Sequence, residues 1–375
     1  MTGTHINKAA KLLREMVGIP SETFSEEKVC NHICSWLEAE GFEFIRKGNN
    51  IICHHSKRDP QKKTLMMCAH IDTVLPTEGY SLNPYTAEAS QAAEVISKLR
   101  GESLDTDEVI YGLGSNDDGG CVVAMLAVLM HLRSSELPMN LVVVLSCEEE
   151  RSGPDGMSGL WDELKDEVDF AIVGEPTCMK AATSERGLLV IDGLAEGVSG
   201  HAARNEGVNA LYIAIEDIEK IRSHKFEKIS ALMGEVNVNV TQINAGSAHN
   251  VIPDSCSFVI DIRPTEQYSN EEIWQELQSF CRSRLTPRNL KNASSASREG
   301  SPLLETAAEL GIVTFSSPTT SDWMRISCDA VKMGPGDSSR SHRKDEYVLR
   351  SEIAEGVKTY LKFIEKLGEK VIIKA

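Results

Sequence analysis

The sequence predicts an α/β protein in which a domain with a mostly parallel sheet is interrupted by a smaller inserted α+β domain. Three observations predict this class. The chain has 375 residues, which is more than a single hydrophobic core usually serves. Short apolar runs alternate with helical patterns in the first half, as they do in parallel sheets. Beyond about residue 184, the runs alternate apolar with polar residues, as in sheets with one solvated face.

The first half supplies the parallel sheet. An amphipathic helix pattern, with Ile6, Leu12, Leu13 and Met16 on its apolar face, begins the chain. Four short apolar segments then read as strands, and a helix with apolar residues nearly all round lies between the second and third. The predicted strands are 50–54, 64–69, 140–146 and 169–173, and the helix is 120–132. Residues 77–110 are polar, and we expect them to cover part of the surface.

The inserted domain follows as strand, helix, strand, strand, helix, at 187–197, 208–221, 235–243, 256–262 and 271–284. This order is close to a split βαβ unit, which is a ferredoxin-like arrangement. A polar linker at 285–302 returns the chain to the first domain, which ends with a helix at 303–310, a strand at 330–333 and a helix at 352–367. We therefore predict a discontinuous larger domain, 1–184 with 292–375, and an inserted smaller domain, 185–291.

Composition excludes several classes of partner. The net charge of −17 disfavours nucleic acid and anionic membranes. The longest apolar run, 121–130, is too short to cross a bilayer, and the N-terminal segment lacks the apolar centre of a signal peptide. Ten cysteines without a C-x-x-C pair are typical of free thiols in a reduced compartment. The expectation is a cytoplasmic, acidic, soluble protein.

Acidic or imidazole side chains follow the predicted strands at five places. These are His70 with Asp72, Asp117, the run Glu148–Glu150, Glu175 and His342. Ligands of open parallel sheets bind at the carboxyl edge of the strands, where such residues would converge. His70 and Asp72 also point the same way on an extended segment. Several carboxylates with two histidines in one place favour a pair of divalent metal ions.

Each of these residues also has a simpler interpretation. A histidine at a strand end is usually a hydrogen-bonded core or surface residue, and a run of glutamates is usually solvated. Asp117 could cap a helix, and Glu175 could begin a turn. A structural Ca²⁺ or Mg²⁺ site is a further alternative, although these ions prefer oxygen ligands to the two histidines. The residues alone leave the metal site and these alternatives open.

The order and spacing of the segments resemble the di-zinc amidohydrolase family of acetylornithine deacetylase, succinyl-diaminopimelate desuccinylase, aminoacylase and carboxypeptidase G. The matching segments extend from "GIPSET" at residue 18 to "DEYV" near residue 348. They are His70-Ile71-Asp72, Asp117 in "GLGSNDDGG", Glu149-Glu150, Gly174-Glu175-Pro176-Thr177, and His342 before Asp345-Glu346-Tyr347. Length and spacing are nearest to the acetylornithine deacetylase and desuccinylase branch.

The resemblance implies a role for each residue of the site. His70 and Glu175 would hold one metal, Glu150 and His342 the other, and Asp117 would bridge the two. Asp72 would accept the second N–H of His70 and fix the tautomer that binds metal. Zinc is the expected metal, with cobalt or manganese as alternatives.

Glu149 would be the general base, because it adjoins a ligand without being one. The run of three glutamates leaves a second register open, in which Glu148 is the base and Glu149 the ligand. We prefer the pair Glu149 and Glu150, because "EERSG" then matches the small-residue turn that follows this pair in the family.

Three residues of the inserted domain complete the expected site. The resemblance implies that the larger domain is the catalytic domain and that the inserted domain is a lid through which a homodimer forms. His201 would reach across this homodimer to stabilise the tetrahedral oxyanion. The resemblance also implies that Asn250 and Arg263 bind the carboxylate of the substrate, a role that suits a planar guanidinium. Simpler interpretations are a turn residue for His201, a loop cap for Asn250 and a surface ion pair for Arg263.

The resemblance implies a metal-dependent hydrolase that removes the acyl group from an N-acyl amino acid, with acetyl or succinyl as the acyl group. This would place the protein in arginine or lysine biosynthesis. Two other functions remain open: a dipeptidase or carboxypeptidase with the same metals, and a catalytically silent protein that binds metal or amino acid. Retention of every expected ligand and of the base argues against the silent protein.

Overall fold

The computed structural model describes residues 3–204 and 206–373. The helices of this part of the chain are α1 (Gly3–Val17), α2 (Glu27–Ala39), α3 (Ala89–Arg100), α4 (Gly120–Leu132), α5 (Met157–Leu164), α6 (Ala210–Ser223), α7 (Asn270–Phe280), α8 (Pro302–Glu309) and α9 (Arg350–Ile373). The strands are β1 (Ile45–Lys47), β2 (Asn50–His54), β3 (Thr64–His70), β4 (Val109–Tyr111), β5 (Asn140–Ser146), β6 (Phe170–Val173), β7 (Ala181–Glu185), β8 (Leu189–Glu196), β9 (Gly200–His201), β10 (Asn237–Ala245), β11 (Val251–Ile252), β12 (Ser255–Arg263), β13 (Arg284–Pro287), β14 (Ser295–Ala296), β15 (Thr314–Ser317), β16 (Asp329–Lys332) and β17 (Tyr347–Leu349).

The chain forms two compact units. The larger unit comprises Met1–Thr183, Ser297–Phe315 and Ser321–Ala375. The smaller unit comprises Ser184–Ala296 and Ser316–Thr320.

A mixed sheet forms the centre of the larger unit. Its strands follow the order β1-β2-β5-β3-β6-β16-β7, and β3 pairs in parallel with both β5 and β6. β16 continues the parallel part beside β6, whereas β1, β2 and β7 run antiparallel to their neighbours. The predicted α/β class with a large, mostly parallel sheet is confirmed.

Both faces of the central part of this sheet are covered, which explains why β3, β5 and β6 are apolar along nearly their whole length. Along β3, Leu65 and Met67 pack into a core with α1, α2, α4 and α9, whereas Met66 and Cys68 pack on the opposite face with α5. α4 is buried on all sides because it lies between α1, α9 and the sheet. This position accounts for its lack of a polar face.

The register of the parallel strands aligns their carboxyl ends. His70, the last residue of β3, pairs with Ser146, the last residue of β5. Cys68 of β3 pairs with Val173, the last residue of β6. The residues that follow these three strands therefore emerge along one edge of the sheet.

The smaller unit contains an antiparallel sheet of order β10-β12-β8-β13. α6 and α7 pack on one face of it, over a core that includes Leu189, Phe258 and Ile260. Ser269 begins α7 with a capping box, since its side chain and that of Glu272 each accept a hydrogen bond from the other's backbone N–H.

One sequence prediction was incomplete and another was wrong in detail. Residues 77–110 were expected to cover part of the surface, and they also contain α3 and the start of β4, which pack with β17 around Ile96 and Tyr111. The helix predicted at 271–284 ends at Phe280, and Arg284 begins β13. The cause is Asp217, whose Oδ2 accepts hydrogen bonds of 2.7 Å from the backbone N–H and the hydroxyl of Ser283. These bonds fix the turn between α7 and β13.

Among residues 3–204 and 206–373, no helix combines the length and the apolar character needed to cross a membrane.

Candidate metal centre

The acidic and imidazole residues that follow the predicted strands lie along the carboxyl edge of the sheet in the larger unit. His70 ends β3, and Asp72 follows it by two positions. After β5 the chain makes a tight 3₁₀ turn at Glu149–Arg151, and after β6 it passes through Gly174 to Glu175. The common register of these strands therefore brings the three segments together.

Asp117 reaches His70 from a short turn that precedes α4. Its Oδ1 lies 3.2 Å from His70 Nε2, and both side chains are buried. The turn is held by Glu346, whose Oε1 accepts hydrogen bonds from the backbone N–H groups of Asn116 at 2.9 Å and Asp117 at 3.0 Å. The position of Asp117 is therefore fixed by the backbone as well as by its own side chain.

His342 completes the cluster from the loop between β16 and β17. Its Nε2 lies 3.0 Å from Glu150 Oε1 and 3.7 Å from Asp117 Oδ2. The two oxygens of Asp117 thus face different histidines, Oδ1 towards His70 and Oδ2 towards His342. This is the arrangement in which one carboxylate can bridge two metal ions.

The donor atoms are close enough to share cations. One atom each from His70, Asp117 and Glu150 lies within 4.8 Å of the others, and so does one atom each from His70, Glu149 and Glu175. Within the described part of the chain, the carboxylates of Glu149 and Glu175 accept no hydrogen bond from another residue. Two half-buried carboxylates without donors are a costly arrangement unless a cation lies between them.

The pKa values show the same imbalance of charge. Burial raises the pKa of Glu149 and of Glu175 well above the ordinary value, and nearby carboxylates add to the effect. Burial opposes a charge on His70, yet hydrogen bonding to Asp117 and Asp72 holds its pKa well above the ordinary value. A hydrogen bond to Glu150 raises the pKa of His342 to about 9. Without a metal, protons on the histidines balance the carboxylates.

The donor set fits a pair of divalent cations. Imidazole nitrogens and carboxylate oxygens are the ligands that zinc, cobalt and manganese accept. A bound cation would replace the protons on the imidazoles, which must be neutral to act as ligands. It would also offset the free-energy cost of desolvating the Glu149 and Glu175 carboxylates.

Asp72 has more contacts than the sequence suggested. Its backbone carbonyl is the nearest acceptor for His70 Nδ1, at 3.0 Å, and its carboxylate Oδ1 lies 3.5 Å from the same nitrogen. The carboxylate also accepts hydrogen bonds from the backbone N–H groups of Glu149 at 3.0 Å and Glu150 at 3.2 Å, and from the Thr23 hydroxyl at 2.8 Å. Asp72 therefore holds both His70 and the turn that carries the two glutamates.

Glu148 points away from the cluster. It has a positive φ of 60°, and its Oε2 accepts a hydrogen bond of 3.0 Å from the backbone N–H of Asp155. Gly153 packs so closely against the Glu148 side chain that an added Cβ would lie 2.1 Å from Oε2. A side chain at residue 153 would collide with this carboxylate, which explains why glycine occupies this position, two residues after Arg151.

Three buried acids near the cluster were not assigned a role from the sequence. Asp118 Oδ2 accepts a hydrogen bond of 3.3 Å from the backbone N–H of His70. Asp322 Oδ2 accepts one of 2.6 Å from the Ser146 hydroxyl, and Glu346 binds the turn of Asp117 as described. Asp322 and Glu346 belong to "SDW" and "DEY", so their motifs were visible although their contacts were not.

The smaller unit contains the other three predicted residues. His201 in β9 pairs with Val251 in β11, and its Nδ1 accepts a hydrogen bond of 3.2 Å from the backbone N–H of Ala203. The backbone carbonyl of Asn250 accepts a hydrogen bond of 3.1 Å from the backbone N–H of Ala202. His201 and Asn250 therefore lie close together, where β9 pairs with β11.

Arg263 lies elsewhere in the smaller unit, at the end of β12. It forms two hydrogen bonds, of 2.8 and 3.0 Å, with the carboxylate of Asp261. The guanidinium is half-buried, and the ion pair fixes its orientation.

Comparison with known proteins gives a consistent result. Residues 66–366 match the family model described as peptidase family M20/M25/M40. The acetylornithine deacetylase of Proteus mirabilis (strain HI4320) is 24% identical over 376 residues, which cover 90% of this chain and 91% of the relative. A putative succinyl-diaminopimelate desuccinylase of Mycobacterium tuberculosis (strain ATCC 25618 / H37Rv) is 24% identical over 364 residues, covering 92% and 95%.

Solved structures share the fold over nearly the whole chain. A tripeptidase from Staphylococcus aureus subsp. aureus mu50 has a TM-score of 0.75 at 20% identity, covering 97% of this chain and 99% of that one. The YXEP protein of Bacillus subtilis, described as a dinuclear metal binding peptidase from the M20 family, has a TM-score of 0.68 at 15% identity, covering 99% of both chains.

Proposed function

The chain belongs to the peptidase family M20/M25/M40, and from this premise we propose that it hydrolyses the amide bond of an N-acyl amino acid. The observation that carries the proposal is the position of Glu149. Its carboxylate lies among the candidate metal ligands, next to His70 and Glu175, and accepts no hydrogen bond from the described residues. A carboxylate placed in this way is available to move a proton.

We assign the ligands as the family pattern suggests. His70 and Glu175 would hold one divalent cation, Glu150 and His342 the other, and Asp117 would contact both. When bound, the cations would polarise the scissile carbonyl and lower the pKa of a water molecule. Zinc is the metal we propose, and cobalt or manganese suits the same donors.

Glu149 would take a proton from the attacking water and deliver it to the leaving nitrogen. Two observations support this register over the one in which Glu148 is the base. The Glu148 carboxylate is bonded to the backbone of Asp155, and Glu150 contacts His342 directly. The Asp72 carboxylate would keep Glu149 in place, because it accepts a hydrogen bond from the backbone N–H of Glu149.

Residues of the smaller unit would bind the rest of the substrate. Arg263 offers a guanidinium already oriented by Asp261, which suits the carboxylate of an amino acid. We assign Asn250 to the same carboxylate, and His201 to the oxyanion of the transition state.

We propose that the protein is a homodimer that pairs through the smaller unit. In this unit, Tyr212 and Ile215 of α6 are 64% and 49% exposed, and Ile243 of the edge strand β10 is 51% exposed. An unpaired strand edge beside exposed apolar side chains is typical of a surface that pairs with a second copy. His201 would then act on the substrate bound by the partner subunit.

A peptidase activity is the second candidate, because the Staphylococcus aureus structure of similar fold is a tripeptidase. The metals and the base would be the same, and the leaving amine would be a second amino acid. The deacylase is preferred because relatives that align over about nine-tenths of this chain include an acetylornithine deacetylase and a putative desuccinylase. This function would place the protein in cytoplasmic arginine or lysine biosynthesis.

Amine release by the zinc-loaded protein tests the proposal. The panel contains N-acetyl and N-succinyl ornithine, citrulline and diaminopimelate, with several dipeptides and tripeptides. Release from an acylated amino acid would support the deacylase, and release from peptides alone would replace it with the peptidase. If two metals bind and no substrate is cleaved, the protein is a silent binding protein and the proposal is wrong.

A further inference from the structure

The side chain of Asn116, the residue before Asp117, reaches the loop that carries His342. Asn116 is fully buried. Its Nδ2 donates a hydrogen bond of 3.1 Å to the backbone carbonyl of Asp337, and its Oδ1 accepts one of 2.9 Å from the backbone N–H of the same residue. Nδ2 also donates a hydrogen bond of 3.3 Å to the hydroxyl of Ser341, which adjoins His342 in the chain. One amide thus holds the loop at two points.

The loop holds the turn of Asp117 in return. Glu346, which lies past His342 and is 1% exposed, accepts hydrogen bonds from the backbone N–H groups of Asn116 and Asp117. Asn116 and Asp337 are 221 positions apart in the chain. Two distant segments, each with a proposed metal ligand, are therefore bonded to each other in both directions.

Gly336 leaves the space that the Asn116 amide occupies. Its φ is +87°, a left-handed conformation that favours glycine. A Cβ at this position would lie 2.5 Å from Asn116 Oδ1. Any side chain at position 336 would therefore push the amide away from the loop.

The two proposed metal sites are held in different ways. His70 ends a central strand, its side chain is 2% exposed, and its ring is bonded to Asp72. His342 lies in a loop with a positive φ of 57°, and its side chain is 54% exposed. A residue other than glycine keeps this conformation only where the surrounding structure holds it. The position of His342 therefore depends on the contacts of its loop.

We propose that Asn116 is a positioning residue for the Glu150–His342 metal site. It holds the loop of His342 against the turn of Asp117, and it touches neither metal nor substrate. This inference rests on the ligand assignment made for the proposed function. Contacts that orient metal ligands contribute about 10–100-fold to metal affinity. Loss of the amide should therefore weaken the cation at this site and spare the other one.

The test is titration of the full-length, metal-free protein with Co²⁺, followed by visible absorption. In Asn116→Ala, the first equivalent should bind as in the wild type and the second about 10–100-fold more weakly. Ser341→Ala removes one of the three hydrogen bonds, so its second equivalent should be weakened less. Gly336→Ala displaces the amide from the opposite side of the contact and should act in the same direction as Asn116→Ala.

Asn140→Ala is the matched control for a loss of structure. Asn140 is also buried in the larger unit, and its amide forms the same pair of hydrogen bonds with the backbone of Asp59, each of 2.9 Å, at the amino end of β5. Both alanine variants should lower Tm, whereas only Asn116→Ala should change the affinity for the second Co²⁺.

Unchanged Co²⁺ affinities in Asn116→Ala, an equal weakening of both equivalents, or the same weakening in Asn140→Ala would overturn the role of Asn116 and leave the ligand assignment intact. A wild type that binds one Co²⁺, or a His342→Ala variant that binds two as tightly as the wild type, would overturn the assignment and this inference with it. These measurements need no turnover, so failure to cleave any acyl amino acid would overturn the proposed hydrolysis alone.

Discussion

His342 Nε2 lies 3.0 Å from Glu150 Oε1, although the two residues are 192 positions apart in the chain. The contact joins the turn after β5 to the loop between β16 and β17, and Asp117 lies between it and His70. The candidate ligands therefore form a continuous chain of contacts from His70 to Glu150. The contact with His342 favours Glu150 as the glutamate that holds a metal, and it leaves Glu149 as the one that moves a proton.

Replacing Glu149 should separate metal binding from turnover. We expect Glu149→Ala to retain two metals and to lose kcat by a factor of about 10²–10⁴, the usual contribution of a general base. Metal analysis of the purified variant and steady-state kinetics measure the two effects.

Glu148→Gln is the matched control, since the Glu148 side chain is bonded to Asp155 and not to the cluster. This variant should keep both metals and turnover. If Glu149→Ala loses a metal while Glu148→Gln loses turnover, the other register is correct.

Asp72→Asn should weaken metal binding even though Asp72 is not among the proposed ligands. An amide offers one acceptor oxygen, whereas the carboxylate serves the backbone N–H groups of Glu149 and Glu150 and the Thr23 hydroxyl. We expect metal affinity to fall about 10–100-fold, as it does when residues that orient ligands are changed. Competition with a chelator measures the affinity.

Thr23→Val provides the comparison for Asp72→Asn. It removes one donor and leaves the two backbone contacts of Asp72, so its effect should be smaller. Equal affinities in the wild type and Asp72→Asn would show that the backbone carbonyl of Asp72 is sufficient to orient His70.

The sequence predicted the elements of this site better than their contacts. β3 was recognisable because its apolar run ends in His70-Ile71-Asp72, and the structure extends it through His70. The contacts of Glu346 and Asp118 were not predictable, because they are bonds to backbone N–H groups of distant or irregular segments. No local pattern distinguishes such an acid from a solvated one.

The errors in the fold have a similar origin. α3 was missed because its face is only partly apolar, and its buried residues, such as Ile96, become significant only against β4 and β17. The end of α7 was placed too late because Asp217, more than sixty residues earlier in the chain, fixes the turn at Ser283. Both depend on tertiary contacts that periodicity does not report.

Arg263→Ala should raise KM for carboxylate-bearing substrates by about tenfold or more, with a smaller effect on kcat, because the contact is made in the ground state as well. Arg288→Ala is a matched control in the same unit. Arg288 forms the same two-bond pair with Asp192, at 2.9 and 2.8 Å, as Arg263 forms with Asp261. An unchanged KM in Arg263→Ala, or an equal increase in both variants, would remove Arg263 from the site.

Tyr212→Glu should convert a dimer to a monomer, because it places a charge on the exposed apolar surface of α6. Light scattering at several concentrations measures the mass. Val313→Glu is the control, since Val313 is exposed by 62% in the larger unit. A wild-type monomer, or a Tyr212→Glu variant that stays dimeric, would exclude pairing through α6 and with it the role of His201 across the dimer.

The metal-free protein should lose stability as pH rises from about 5 to about 8. Burial raises the pKa of Asp322 to about 6 and the pKa values of Asp118 and Glu346 to about 8. In the unfolded chain, carboxyl groups titrate near pH 4. A group whose pKa is raised by folding stabilises the protein fully below its unfolded pKa, and this contribution disappears as pH rises through the folded pKa. His342, raised to about 9, changes stability in the same direction above pH 6.5.

Bound metal should flatten this dependence, because a cation favours the ionised carboxylates and the neutral imidazoles. The measurement is Tm against pH for the chelated protein and for the zinc-loaded protein. Asp322→Asn should reduce the slope between about pH 4 and 6, where all three acids contribute, and leave it unchanged between about pH 6 and 8, where only Asp118 and Glu346 contribute. A metal-free Tm that rises over this range, or equal slopes with and without zinc, would show that the buried acids are not coupled to a cation site.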